Sequence, residues 1–139
     1  MRVVHRQDGV LDSDETPTDR TLASNVELAD STLSQAKGLM FRSSIPDDFA
    51  LVMEVGGGGG LFSLTDGPPW QSVHMLFMRF PIDVLWLDGD RVVKNARLSP
   101  WTGIGVAKAD RIIELPAGAT DGINPGDTVR VEGVGDTDE

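Results

Sequence analysis

The sequence predicts a mainly β protein, a single-domain β-sandwich or compact barrel-like fold with one principal short helix. Three observations carry this. Apolar segments of strand length recur from Phe49 to Val131, punctuated by glycine and proline. Asp88-Gly89-Asp90 separates two of them with a tight-turn signal, which predicts a hairpin. Only one stretch, residues 31–42, repeats its apolar residues Leu33, Ala36, Leu39 and Met40 at helical spacing.

The elements follow in order. A short strand is expected at Arg2–Arg6, built on Val3-Val4, and residues 8–20 read as a solvated loop of Asp, Ser, Thr and Arg. Residues 25–30 read as a strand with Val26 and Leu28 facing one way and Glu27 the other. Asp30 then suits the N-cap of the helix, whose last turn Gly38 weakens and whose continuation Pro46 forbids. Further strands are expected at residues 49–55, 73–79, 82–87, 91–98, 111–115 and 127–132. Residues 101–106 read as loop and residues 116–123 as a short helical or turn segment. These elements divide the chain into an acidic, partly disordered N-terminal segment (1–24), a β-rich domain (25–133) and an acidic tail (134–139).

Charge bounds the function classes. The 139 residues hold 22 acidic and 12 basic side chains, with aspartate over glutamate 16 to 6 and arginine over lysine 9 to 3. An acidic, lysine-poor surface keeps its hydration in concentrated salt, where the Debye length falls to about 3 Å at 1 M. This predicts a halophilic protein, of archaeal source. Nucleic acid is not an expected partner, because displacing phosphate counterions needs clustered Lys and Arg. No stretch reaches the roughly eighteen apolar residues of a membrane helix, and residues 1–20 lack the basic start and apolar core of a secretory signal. A cytoplasmic protein with no membrane partner is therefore expected. With no cysteine, disulfides and thiolate chemistry are excluded.

Several blocks together resemble a known family. They are Gly38-Leu39-Met40-Phe41-Arg42, the apolar residues 51–55, Met75 with Phe80-Pro81-Ile82-Asp83-Val84-Leu85-Trp86-Leu87-Asp88, Ile113-Glu114-Leu115-Pro116-Ala117-Gly118, and Gly126-Asp127-Thr128-Val129. In this order and spacing, over residues 26–131, the chain resembles the domain-of-unknown-function 192 family of small bacterial and archaeal proteins. The resemblance implies a β-rich sandwich or barrel-like domain with a small helix, and no established enzymatic activity. Many bacterial members carry a stretch like Trp-Met-Lys-Asn-Thr before the proline. Here His74-Met75-Leu76-Phe77-Met78 stand in its place, so Leu and Phe replace the polar pair.

Candidate ligand-binding residues are His74, Arg79, Asp83, Arg42 and Trp101. His74 would gain orientation and basicity from a carboxylate, and Asp83 is the nearest if their strands adjoin. Its alternative is a strand-end histidine satisfied by backbone or water. Asp83 lies in an apolar run, where an unpaired carboxylate would cost on the order of 3–5 kcal/mol. It is expected to accept from a backbone amide, Arg42, Arg79 or His74, either as a turn-locking group or as a ligand contact. Arg42 and Arg79 suit either a small anion or an internal salt bridge. Trp101 stands beside Pro100 in a predicted loop and is expected to be exposed.

The glycines at 56–60 do not make a nucleotide loop. No Gly-Lys-Ser/Thr follows, and Leu61 occupies the place of the last fingerprint glycine. They read as a flexible connector or a flap over a site. No Gly-x-Ser-x-Gly motif is present, and a zinc site on two histidines would need carboxylates from elsewhere. No catalytic residue, metal or cofactor is assigned. Three classes remain: a noncatalytic module binding a small ligand or a protein partner, a hydrolase or isomerase using His74 and Asp83, and an accessory or structural protein without a small-molecule site.

Overall fold

Ten strands build the molecule, which a computed structural model describes over residues 2–6, 19–29, 44–54, 70–75 and 78–133. In chain order they are β1 (Arg2–Arg6), β2 (Asp19–Ala23), β3 (Asn25–Ala29), β4 (Phe49–Glu54), β5 (Trp70–His74), β6 (Ile82–Asp88), β7 (Arg91–Leu98), β8 (Ile104–Lys108), β9 (Arg111–Pro116) and β10 (Thr128–Glu132). Eight form one sheet in the order β2-β1-β10-β7-β6-β9-β4-β3, and β5 and β8 form a separate pair. Neighbours in the large sheet run antiparallel except β3 and β4, which are parallel.

The two edge strands β2 and β3 are consecutive in the chain, separated only by Ser24. The sheet must therefore curl until its edges meet, which gives a barrel-like shape. The corner is pinned to the start of β4. Ser24 N and Asn25 N donate to Asp48 O at 3.0 and 2.9 Å, and Ser24 Oγ donates to Asp48 Oδ2 at 3.1 Å.

Alternation along the strands sorts the apolar residues into two layers. Val3, Leu22, Ala50, Val52, Leu85, Leu87, Ile113, Leu115 and Val129 come from strands across the whole sheet and fill its concave interior. Phe49, Leu51, Met53, Val84, Trp86 and Ile112 point outward, where Val73, Met75, Met78 and Ala107 cover them. Gly105 of β8 lies directly on Trp86, since a Cβ there would sit 2.5 Å from Trp86 Cη2. Lys94 of β7 fastens the pair down. Its ammonium lies 5.4 Å from the Trp86 ring centre and donates to Val106 O at 3.2 Å.

The predicted hairpin forms as β6–β7, with Gly89 at φ +63° in its turn. The strands expected at residues 25–30, 49–55, 111–115 and 127–132 also form, and residues 117–122 make turns. Three differences stand out. The N-terminal segment set apart above contributes two paired strands, with Val3 and Val4 buried. Residues 104–108, expected partly as loop, are β8. The strand expected at residues 73–79 ends at His74, because Met75 N turns to Gly103 O at 2.9 Å and Met78 N to Met75 O at 3.0 Å. The helix at residues 31–42, the glycines at 56–60 and the tail at 134–139 lie outside the described residues.

Candidate functional site

Asp83 sits on the interior face of β6, fully enclosed. Its register partner on β7 is Arg97, whose Nε donates to Oδ1 at 2.7 Å and Nη2 to Oδ2 at 3.3 Å. Oδ2 also accepts Gly118 N at 2.9 Å, Thr120 N at 3.1 Å and Thr120 Oγ1 at 2.7 Å. Gly118 reaches this position at φ +98°, a conformation a side chain would strain. Burial by itself would raise the Asp83 carboxyl, but the hydrogen bonds from Arg97, Thr120 and Gly118 outweigh it and hold the group below its ordinary value.

The network extends to both sides. Arg97 Nη2 donates to Asp121 Oδ1 at 2.8 Å, and Asn95 Nδ2 donates to Thr120 O and Ile123 O, each at 3.1 Å. Thr120 Oγ1 lies 2.9 Å from Asn95 Oδ1 as well as near Asp83, and its one proton serves one acceptor at a time. The whole arrangement clamps residues 117–123 across β6 and β7, where Ile123 and Ala119 join the interior core. A backbone amide was among the expected partners of Asp83, and two supply it. Arg97 was not, and a ligand would have to displace five protein donors to reach this carboxylate.

The structure does not bring the other candidates to Asp83. His74 belongs to β5, which pairs with β8 in register with Ile104, so the expected adjacency of the His74 and Asp83 strands is corrected. Asp83 faces the interior, whereas β5 and β8 cover the outer layer. Arg79 is exposed between the inward-packed Met78 and Phe80. Trp101 is 52% exposed, with φ +67°, in a turn whose amide donates to Met75 O at 3.0 Å. The Trp101 turn thus lies against the end of β5, next to the exposed Ile104 and Val106. Arg42 lies outside the described residues.

A second acid, absent from the candidates, has the opposite surroundings. Glu114 of β9 points into the outer apolar layer, opposite Leu51 on β4 and Val84 on β6. It is only 8% exposed, and among the described residues no donor reaches its carboxylate. Burial pushes its carboxyl up to about 7. The signal in the sequence was an acid between Ile113 and Leu115. On a sheet with one wet face such a residue points to water, but here both faces are covered.

A third polar group is structural. His5 Nε2 meets Asp127 Oδ2 at 2.9 Å, both residues buried, and Asn124 N donates to the same oxygen at 3.0 Å. This ties β1 to the turn that opens β10, and the turn role expected of Asp127 is what the geometry shows. Among the described residues, no group of three or more His, Asp or Glu side chains is arranged to hold a metal ion. No helix among them is long and apolar enough to cross a membrane.

Comparison with known proteins adds the family and the fold. The family model DUF192, described as "Uncharacterized ACR", matches residues 14–131. A "UPF0127 protein" of Thermococcus sibiricus is 34% identical over 101 residues, covering 71% of this chain but 59% of its own length. The match thus spans about three fifths of that relative. Two solved structures share the fold. A "putative transcription regulator" from Sinorhizobium meliloti superposes with a TM-score of 0.64 at 19% identity, covering 93% of this chain and 92% of that one. A protein of unknown function from Novosphingobium aromaticivorans gives 0.63 at 23% identity, covering 93% and 84%. At these identities the likeness is one of fold alone.

Proposed function

The chain belongs to the DUF192 family, described only as uncharacterised, and we infer that this member is a noncatalytic binding module for a small ligand or a protein partner. One observation carries the reading, the enclosed Glu114 carboxylate. Most enclosed polar groups are satisfied within the fold, because leaving one alone costs about 1–3 kcal/mol. Asp83 and Asp127 follow that rule. Glu114 departs from it among apolar neighbours, which is the composition of a ligand site: apolar walls and a single polar group that fixes orientation. Its surroundings offer no second polar group to share a proton-transfer step, which favours binding over catalysis.

The exposed Trp101, Ile104 and Val106 rim the same small sheet and support recognition on this side of the molecule. The aspartate excess, together with an archaeal relative, supports a setting in a salty archaeal cytoplasm. The test is a fragment screen read by methyl-labelled NMR. Hits should shift Leu51, Val84 and Ile112, on the outer layer, and leave Val52, Leu85 and Ile113 of the interior unmoved. A screen with no hits, or with hits confined to the Asp83 network, would refute the reading.

A further inference from the structure

We propose that the outer layer accepts an apolar molecule with one cationic head, an alkylammonium or its chemical equivalent, with the head seated on Glu114. The inference rests on the binding reading above and names the ligand class of that site.

The argument starts from what can neutralise an ionised carboxylate in this place. Leu51 and Val84 flank it across the strands, and Met53, Trp86, Met75 and Met78 share its layer. None of these carries a charge or donates strongly. The charged and titratable groups on the surrounding elements are otherwise placed. Lys94 of β7 is fixed over Trp86 and on Val106 O. Glu54 of β4 is exposed and bridged to Arg111 at 2.7 Å. Arg79 and Lys108 are exposed, and β5 contributes His74 at the position opposite Ile104.

Only a proton or an incoming cation is left to neutralise Glu114, so the two compete. A cation with an apolar stem gains twice, once from the carboxylate in low-dielectric surroundings and once from burying its stem. The formal net charge of −10 attracts cations to the surface and repels anionic amphiphiles, which sets amines ahead of fatty acids. A neutral alcohol of the same length fills the layer without the charge, and so separates the head's contribution from the stem's.

The probes are hexylamine, hexanol and hexanoate, titrated into the full chain at pH 5.5 and 8.5. Hexylamine stays charged over that range, as a lysine does with its pKa of about 10.4. With the Glu114 carboxyl at about 7, its ionised fraction rises about 30-fold between those pH values, so hexylamine should bind up to about 30-fold tighter at the higher pH. Hexanol should bind equally at both, and hexanoate weakest at pH 8.5. Calorimetry in buffers of different ionisation enthalpy should detect proton release on binding hexylamine near pH 7, a readout that needs no variant. Glu114→Gln, which mimics the protonated acid in shape, should erase both the pH dependence and the preference for amine over alcohol.

The outcomes separate the two ideas. If hexanol and hexylamine shift the outer-layer methyls equally and without proton release, the module reading stands and the cationic ligand class falls. If no probe binds, both fall. A pH dependence that survives in Glu114→Gln would assign it to another group and overturn the proposal.

Discussion

Replacing Asp83 with alanine tests whether its network is the clamp described above. The carboxylate accepts five contacts, but they do not carry equal weight. Arg97 is 51% exposed on its side chain, keeps Asp121, and can turn to water, so its half of the ion pair contributes little. The Thr120 hydroxyl can transfer its proton to Asn95 Oδ1. What remains is the Thr120 amide, buried and without another acceptor in place, and the Gly118 amide, closer to solvent. One fully stranded donor costs about 1–3 kcal/mol. Adding the partial loss at Gly118 and the small cavity brings Asp83→Ala to about 3 kcal/mol, the lower edge of the range for breaking a buried pair. Asp83→Asn should cost less, about 1–2 kcal/mol, because one amide oxygen can still accept both backbone donors while the NH2 group repels Arg97 outward.

Urea unfolding with a shared m-value measures both variants. The pH dependence has a fixed sign. The folded carboxyl is held below its ordinary 3.8, so its stabilisation is present above that value and is lost as pH falls through the depressed folded value. The gap between wild type and Asp83→Ala should therefore narrow in acid. An alanine cost below about 1 kcal/mol, or an asparagine variant as unstable as the alanine one, would refute the clamp.

Glu114 has the reverse dependence: its folded carboxyl lies at about 7 against an ordinary 4.5. Its contribution is complete below about 4.5 and lost as pH rises through about 7, on the order of 3 kcal/mol in all. Glu114→Gln should flatten that slope, as followed by denaturant melts from pH 4 to 8. Gly105→Ala should cost about 1–3 kcal/mol, since its methyl would meet the buried Trp86 ring, and the change should appear as increased Trp86 fluorescence quenching by acrylamide. Raising potassium chloride from tenths molar to molar should raise the melting temperature. Salt weakens the surface bridges of Arg2, Arg6 and Arg130, but with a net charge of −10 the screened repulsions outnumber them. A flat or falling melting curve would remove the halophilic argument.

The parts of this fold legible in the sequence are those whose apolar residues point inward. β4, β6, β9 and β10 have buried residues at the positions their patterns suggested, and the hairpin turn stands where Asp88-Gly89-Asp90 signalled it. β8 inverts the rule. Ile104 and Val106 face outward while Gly105 and Ala107 face inward, because the Trp86 ring leaves room for nothing larger. An alternation whose small members are the buried ones reads as loop. β2 is hidden by Asp19-Arg20-Thr21, exposed residues whose paired edge is visible only once β1 is in place.

The Asp83 partner was lost by one residue. Counting back from Asp88 opposite Arg91 puts Ala96 opposite Asp83. A bulge between Trp86 and Leu87 in the register, taken up by the extra Val93, shifts the pairing and brings Arg97 there instead. Nothing in the local sequence announces that bulge. Hence arginines nearer in sequence, Arg79 and Arg42, stood out as partners.

Asp83 and Glu114 make a controlled comparison inside one molecule. Both stand in apolar strands, on neighbours β6 and β9, and both are almost wholly enclosed. One faces the interior, where residues 117–123 fold over it and bring two amides and a hydroxyl. The other faces a layer closed by methionines, a tryptophan and a glycine-bearing strand, none of which donates to it. Burial therefore does not mark the candidate site; satisfaction does. A carboxylate that orders a loop has its chemistry fixed by the fold, whereas one enclosed without a donor keeps its charge state responsive to whatever enters the layer. That difference, visible only after the two faces of the sheet are told apart, moves the functional weight from the apolar run around Asp83 to the single acid in Ile113-Glu114-Leu115.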